Sequence, residues 1–189
     1  MVSEYNGGYR MKDKPITEYI LLGALMSGPM HGYEILRFLD ADLGWTWRVS
    51  TSQLYALLKR LESGGLVTSA MESQDTRPSK RVFSLNTSGK KKFMEWLKQP
   101  SSYVRDLRTE FLAKIFFFRK LSVKGSPVLV YDQIKVLESV RERFVKLRKE
   151  ELDHYKRMVF GFKTATLSGW LDWLEKEAVS FAKEIETNL

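Results

Sequence analysis

The chain contains no cysteine, which excludes disulfide frameworks, thiolate metal sites and cysteine nucleophiles together. Histidine is scarce as well. His31 and His154 are the only two, and they lie far apart in sequence, so there is no histidine ligand cluster and no grouping of the commonest general base. Proline occurs only five times, at positions that read as element starts, stops or turns. Long apolar runs are missing too: residues 19–26 and 115–118 are far too short to span a bilayer, and no N-terminal stretch has the order of a signal peptide. Nucleophile elbows, phosphate loops, paired-ligand helices, nucleotide fingerprints and repeats of 20 to 50 residues are all lacking. The expectation is a soluble cytoplasmic protein that is not an enzyme, has no catalytic or metal-binding residues, needs no cofactor and has no membrane partner.

What is present points elsewhere. An apolar fraction of 43% with 13% aromatic residues excludes the disordered class and supplies a sizeable core. The formal net charge is +8 and is unevenly spread: residues 1–47 carry a net −2, residues 93–189 a net +4, and residues 48–92, with nine basic against three acidic side chains, a net +6. A polyanion is the partner class that this distribution suggests.

The basic region opens with Ser50–Leu66, STSQLYALLKRLESGGL. Three hydroxyl residues stand where the first helical amides need caps, and Gly64-Gly65 marks the end. Leu54, Leu57, Leu58 and Leu61 recur at i, i+3, i+4 and i+7, a single inward stripe. Opposite lie Ser52, Ala56, Lys59 and Ser63, flanked by Tyr55 and Arg60. Upstream, Ile16–Met26 reads as a buried helix closed by Ser27-Gly28-Pro29, and a second helix is expected from near His31 to Leu43. Downstream the period becomes extended: strands are expected over 66–72 and 81–85, joined by a loop over 73–80 that carries Arg77, Ser79 and Lys80. Asn86-Thr87-Ser88 caps a helix to Lys98, ended by Gln99-Pro100. The remainder reads as helical: Leu107–Leu121, a break at 122–127, a long helix from about Val128 to Met158, a connector over 160–166, and a last helix carrying Leu167, Trp170, Leu171, Leu174, Ala178, Phe181, Ala182 and Ile185. In the long helix, Leu137, Val140, Phe144 and Leu147 are spaced like a coiled-coil seam.

Two helices, an amphipathic helix with a polar outer face and a hairpin with a cationic tip make a workable grip on duplex nucleic acid, with the helix in the major groove and the hairpin on the adjacent backbone. The segments LLGALMSGPMHGYEI (Leu21–Ile35), STSQLYALLKRLESGGLV (Ser50–Val67) and RPSKRVFSLNTSGKK (Arg77–Lys91) resemble the winged-helix core of the PadR-like transcriptional regulators. QPSSYVRDLRTEFLAKIFFF (Gln99–Phe118) and the helices after it resemble the branch with an extended C-terminal domain. The resemblance implies a mainly α fold with an N-terminal winged helix-turn-helix, a small β-hairpin wing and a C-terminal helical dimerisation domain. It divides the chain into a flexible arm (1–15), a DNA-binding domain (16–98) and a dimerisation domain (99–189). It further implies a homodimeric repressor on a palindromic double-stranded DNA operator, released by a small apolar or aromatic effector. Carried onto this sequence, the DNA-binding residues are Ser50, Ser52, Gln53, Tyr55, Lys59, Arg77, Ser79, Lys80 and Arg81. Ser52 and Gln53 are short enough to read bases, and the cations suit phosphates. Ser50-Thr51-Ser52 and Ala56 stand where many relatives have prolines, which leaves the operator sequence open.

Trp45, Trp47 and Trp96 are candidate effector-binding residues, against the commoner role of aromatic side chains in packing. His31 is expected to cap or pack the second helix, and Phe116-Phe117-Phe118 to be buried. Two other functions fit the composition: a helical protein-interaction adaptor and a sequence-neutral nucleic-acid-binding protein.

Overall fold

The computed structural model describes residues 16–44, 47–74 and 77–189, with the side chains of 73, 74, 77 and 78 left out. The N-terminal arm and Trp45 thus lie outside the described residues. The chain divides into two compact units: the first runs to Arg37 and resumes over Val49–Lys90, and the second takes Phe38–Arg48 and Lys91–Leu189.

The first unit begins with α1 (Ile16–Met26), apolar nearly all round and buried from Ile20 to Leu25, as a helix enclosed on several sides must be. A two-residue strand, β1 (Met30–His31), precedes α2 (Gly32–Leu43). His31 caps this helix, one of the two roles expected of it: its Nδ1 accepts the Glu34 amide at 3.3 Å and the Glu34 carboxylate accepts the His31 amide at 2.9 Å. A strand this short has no period to read. α3 (Thr51–Ser63) buries Leu54, Leu57, Leu58 and Leu61, touches α1 and β2, and is followed by Gly65 at φ +66°, a conformation that glycine adopts without cost.

β2 (Val67–Gln74) and β3 (Arg77–Leu85) form an antiparallel hairpin with β1 on the outer side of β3. Both strands are longer than the sequence suggests, so residues 77–80 are strand rather than loop. Lys80 pairs with Glu72 and Arg77 with Gln74, with an irregularity between Glu72 and Gln74. Main-chain pairing extends the ladder through a polar, proline-containing stretch whose side chains carry no β signal. α4 (Thr87–Lys98) is capped by Asn86, whose Oδ1 accepts the Gly89 amide at 2.9 Å while its Nδ2 donates to the Gly65 carbonyl.

In the second unit, a π turn (Leu107–Phe111) leads into α5 (Leu112–Lys120), in which Phe117 and Phe118 are fully buried. Gly125, at φ +108°, precedes α6 (Ser126–Glu150). The long helix expected to reach Met158 stops at Glu150, and the expected connector over 160–166 is helical. Glu151 turns extended, and its carboxylate takes the amides of Leu152 and Asp153. Asp153 then caps α7 (His154–Trp173) by accepting the Lys156 amide at 2.8 Å. The break needs neither glycine nor proline, because two carboxylates satisfy the freed amides.

Gly161, which suggested a connector, sits inside α7 beneath the Arg148 guanidinium. α6 packs against α7, and on its predicted seam Phe144 meets Phe160 at 6.0 Å between ring centroids, while Leu137 is buried and Val140, Phe144 and Leu147 are half-buried. After α7, a second π turn (Leu174–Ala178) continues into α8 (Val179–Thr187), and Leu167, Leu171, Leu174, Ala178, Ala182 and Ile185 are all buried. No helix of the described residues is long and apolar enough to cross a membrane.

Candidate nucleic-acid interface

Within the first unit, α3 and the hairpin present the residues singled out in the sequence. Ser50 is the N-cap of α3. Its hydroxyl accepts the Gln53 amide at 3.3 Å, and Gln53 Oε1 accepts the Ser50 amide at 3.1 Å, a reciprocal capping box. Ser52 Oγ lies 3.1 Å from Ser50 Oγ. With the leucines inside, Ser52, Gln53, Tyr55, Ala56, Lys59 and Arg60 are all exposed on α3. Gly32 is what lets Tyr55 lie where it does, since a Cβ there would collide with the phenol oxygen.

On the wing, Ser79 is exposed and Lys80 half-buried; the Arg77 side chain lies outside the described part. Arg81 is engaged on three sides. Its Nη2 donates to Glu62 Oε2 at 2.6 Å, its Nε donates to Ser69 Oγ at 2.8 Å, and its guanidinium stacks over Phe83 at 5.3 Å. Ser69 in turn donates to Glu62 Oε1 at 2.6 Å. The bond from Ser69, and after it Arg81, holds the Glu62 carboxyl below its ordinary value against the opposing effect of desolvation. Arg81 therefore ties the wing to the last turn of α3.

A second tie escaped the sequence reading. Glu18 of α1 is 2% exposed, and its Oε1 accepts Arg60 Nε at 2.7 Å. The available signal was a lone carboxylate in the otherwise apolar run ITEYILLGALM. α3 is thus held from one flank by Glu18 through Arg60 and from the other by Arg81 through Glu62.

Of the candidate effector tryptophans, Trp47 and Trp96 belong to the second unit. The Trp47 amide donates to the Leu43 carbonyl at 2.7 Å. Trp96 is buried, donates from its indole to Glu110 Oε1 at 2.9 Å, and has the Lys114 ammonium 4.9 Å from its ring centre. Lys114 is itself buried, bonded to Glu110 at 2.5 Å and to the Gln99 carbonyl at 2.7 Å. Burial pushes its pKa down, with Glu110 opposing.

A capped, leucine-backed helix braced to a β-hairpin, after two further helices, defines a winged helix-turn-helix. Residues 21–95 match the family described as the transcriptional regulator PadR-like family. The negative transcriptional regulator PadR of Bacillus subtilis is 31% identical over 120 residues, which is 64% of this chain and 66% of that protein; the match therefore spans just under two thirds of the relative's length. Among solved structures, B. subtilis PadR in complex with operator DNA is 24% identical, with a TM-score of 0.47 over 89% of this chain and 98% of that one. The same protein in complex with p-coumaric acid is 23% identical, with a TM-score of 0.40 over 89% and 97%.

Proposed function

We propose that the protein is a sequence-specific DNA-binding transcriptional regulator, a cytoplasmic homodimeric repressor acting on a palindromic duplex operator. One observation carries the reading: the exposed polar face of α3, braced on both flanks beside a basic wing. An element inserted in a groove needs a fixed angle to the element on the backbone, and the two ties supply it. Ser52 and Gln53 are assigned to base edges. Ser50, Tyr55, Lys59, Arg77, Ser79 and Lys80 are assigned to sugar and phosphate. Arg81 contributes by holding the wing while its exposed half faces the duplex. The repressor sense is supported by the negative regulator that the chain resembles.

In this reading residues 16–98 bind DNA and residues 99–189 dimerise. The apolar stripe of the last helix, Phe181 at 36% exposed excepted, lies largely within the chain, so the contact between copies falls to the exposed run formed by Leu152, just before α7, and Tyr155, Met158 and Phe162 on it, which are 90%, 70%, 61% and 71% accessible. A small apolar or aromatic effector completes the proposal. A groove of about 480 Å3 lined by Leu112, Trp170 and Trp173 has room for one. p-Coumaric acid is the first probe, read by fluorescence of the protein's tryptophans, Trp47 and Trp96 included.

The test is a duplex selected from a random pool at near-physiological salt, titrated against scrambled competitor. The operator is expected to win by a large factor, and Lys80→Ala is expected to weaken all duplexes alike while lowering the salt slope by about one unit. Equal competition by every duplex would favour the sequence-neutral reading. Absence of salt-dependent duplex binding would favour the adaptor.

A further inference from the structure

A glutamine reads adenine with both ends of its amide, accepting from the N6 amino group and donating to N7. Gln53 does not have both ends available. A backbone N–H can only donate, so the Gln53 atom that meets the Ser50 amide at 3.1 Å is the oxygen, and the Ser50 hydroxyl lies a further 3.2 Å from the same Oε1. Oε1 thus faces two groups of the cap, the hydroxyl with its single hydrogen set between Gln53 Oε1 and Ser52 Oγ at 3.1 Å, and the Gln53 backbone amide closes the box on the Ser50 hydroxyl at 3.3 Å. Swinging the side chain out to free Oε1 would open one half of the capping box and leave the Ser50 amide without its partner.

We propose that Gln53 reads the operator as a donor only, through the two hydrogens of Nε2, and that the base it selects is guanine. Guanine sets two acceptors, N7 and O6, side by side in the major groove. Thymine offers O4 alone, cytosine sets a donor against a donor, and adenine places its N6 donor beside its single acceptor. The residue type that ordinarily signals adenine is converted by its own helix cap into a guanine reader. This rests on the DNA-binding reading above and adds the base to it.

The experiment compares three proteins on selected duplexes. Wild type and Gln53→Ala are put through the same random-pool selection, and the position whose preference differs between them is the one Gln53 reads. Gln53→Glu then separates the two ends of the side chain. A carboxylate still accepts the Ser50 amide, as glutamate does in this motif, but the donors are gone. Gln53→Glu is expected to keep the wild-type circular dichroism and melting temperature, to lose a preference of about ten-fold for guanine at that position, and to lose affinity evenly elsewhere through its charge. Replacing that guanine by 7-deazaguanine is expected to weaken wild type severalfold and to leave Gln53→Glu unchanged.

Adenine at the position, a preference surviving in Gln53→Glu, or indifference of wild type to 7-deazaguanine would overturn the proposal. Specific binding with no position altered in Gln53→Ala overturns it while leaving the functional reading standing. Failure of wild type to select any duplex removes both.

Discussion

The buried end of the Glu18–Arg60 pair makes it the most informative place to perturb the helix-turn-helix. Arg60→Met removes the ion-pair partner of a carboxylate that is 2% exposed, and leaves an acceptor in the core between α1 and α3. A fully buried charge left alone costs about 3 to 5 kcal/mol, whereas a solvent-exposed pair is worth about 1 kcal/mol or less. Arg60 is 59% exposed and Glu18 3% by side chain. The geometry therefore lies between these cases, and about 2 kcal/mol is expected. For a chain of this length that is roughly 4 to 8 °C in melting temperature.

Glu18→Met alone should cost less, because the arginine it abandons can turn to water. The double variant should recover most of the loss, since two apolar side chains of similar volume replace both charges. Urea unfolding followed by circular dichroism, at one fixed protein concentration, measures all four corners of the cycle. The expected coupling is about 1 to 2 kcal/mol. Additive single effects would show that the pair does not act as a unit, and the account of how α3 is held on that flank would fail.

Other consequences can be checked independently. Gly32→Ala drives a Cβ into the Tyr55 hydroxyl, so it should displace Tyr55 and weaken operator binding while leaving far-ultraviolet circular dichroism unchanged; unaltered affinity would remove Tyr55 from the interface. Gly89→Ala meets the Leu66 carbonyl oxygen and Leu85 Cδ1, and should cost roughly 2 kcal/mol or more because the obstacle is backbone, read as a lowered urea midpoint. Lys114→Met leaves Glu110 without its cation, though still bonded to the Trp96 indole, and the Gln99 carbonyl without the Lys114 donor, and should cost about 3 kcal/mol. Because burial holds the Lys114 pKa below the ordinary 10.5, the unfolded chain binds that proton more tightly, and its contribution to stability should rise with pH in the interval just below 10.5. Glu62 follows the same sign at the acid end: its lowered pKa keeps the tie to Arg81 intact above the ordinary value of 4.5, and the stability it contributes is lost as pH falls through the depressed value. A carboxyl-carbon titration by nuclear magnetic resonance should place the midpoint below 4.5 and move it upward in Arg81→Ala.

How much of this was readable in advance depended on whether the signal was local. The leucine stripe of α3, the Asn86 cap and the apolar run of α1 are each encoded in a few adjacent residues, and the structure places them as expected. The wing was under-read because a ladder is built from main-chain groups, and Pro78, Ser79 and Lys80 show no sign of the partner strand that pairs them. The break at Glu151–Asp153 was missed because carboxylates in a charged helix are ordinary until their side chains turn back to the amides. Of the candidate interface, the residue types were legible but their commitments were not. The sequence offers Gln53 and Arg81 as groups ready for a duplex, while the folded chain has already engaged one in a cap and the other in a tie. Such prior engagement depends on distances across elements, which spacing along one helix does not report.

The π turn at Leu174–Ala178 has a consequence for length. A π turn holds one residue more than the α-helix around it, and here that surplus falls between two buried positions, Leu174 and Ala178, with Glu175, Lys176 and Glu177 exposed between them. Removing one residue elsewhere in α7 or α8 would rotate everything beyond it by about 100° and carry Ala182 and Ile185 out of the core. Removing one of the three exposed residues would only tighten the turn to α geometry, with the same side chains still facing inward. At this one point the helix has slack, and a one-residue deletion can be absorbed without disturbing what either end is packed against.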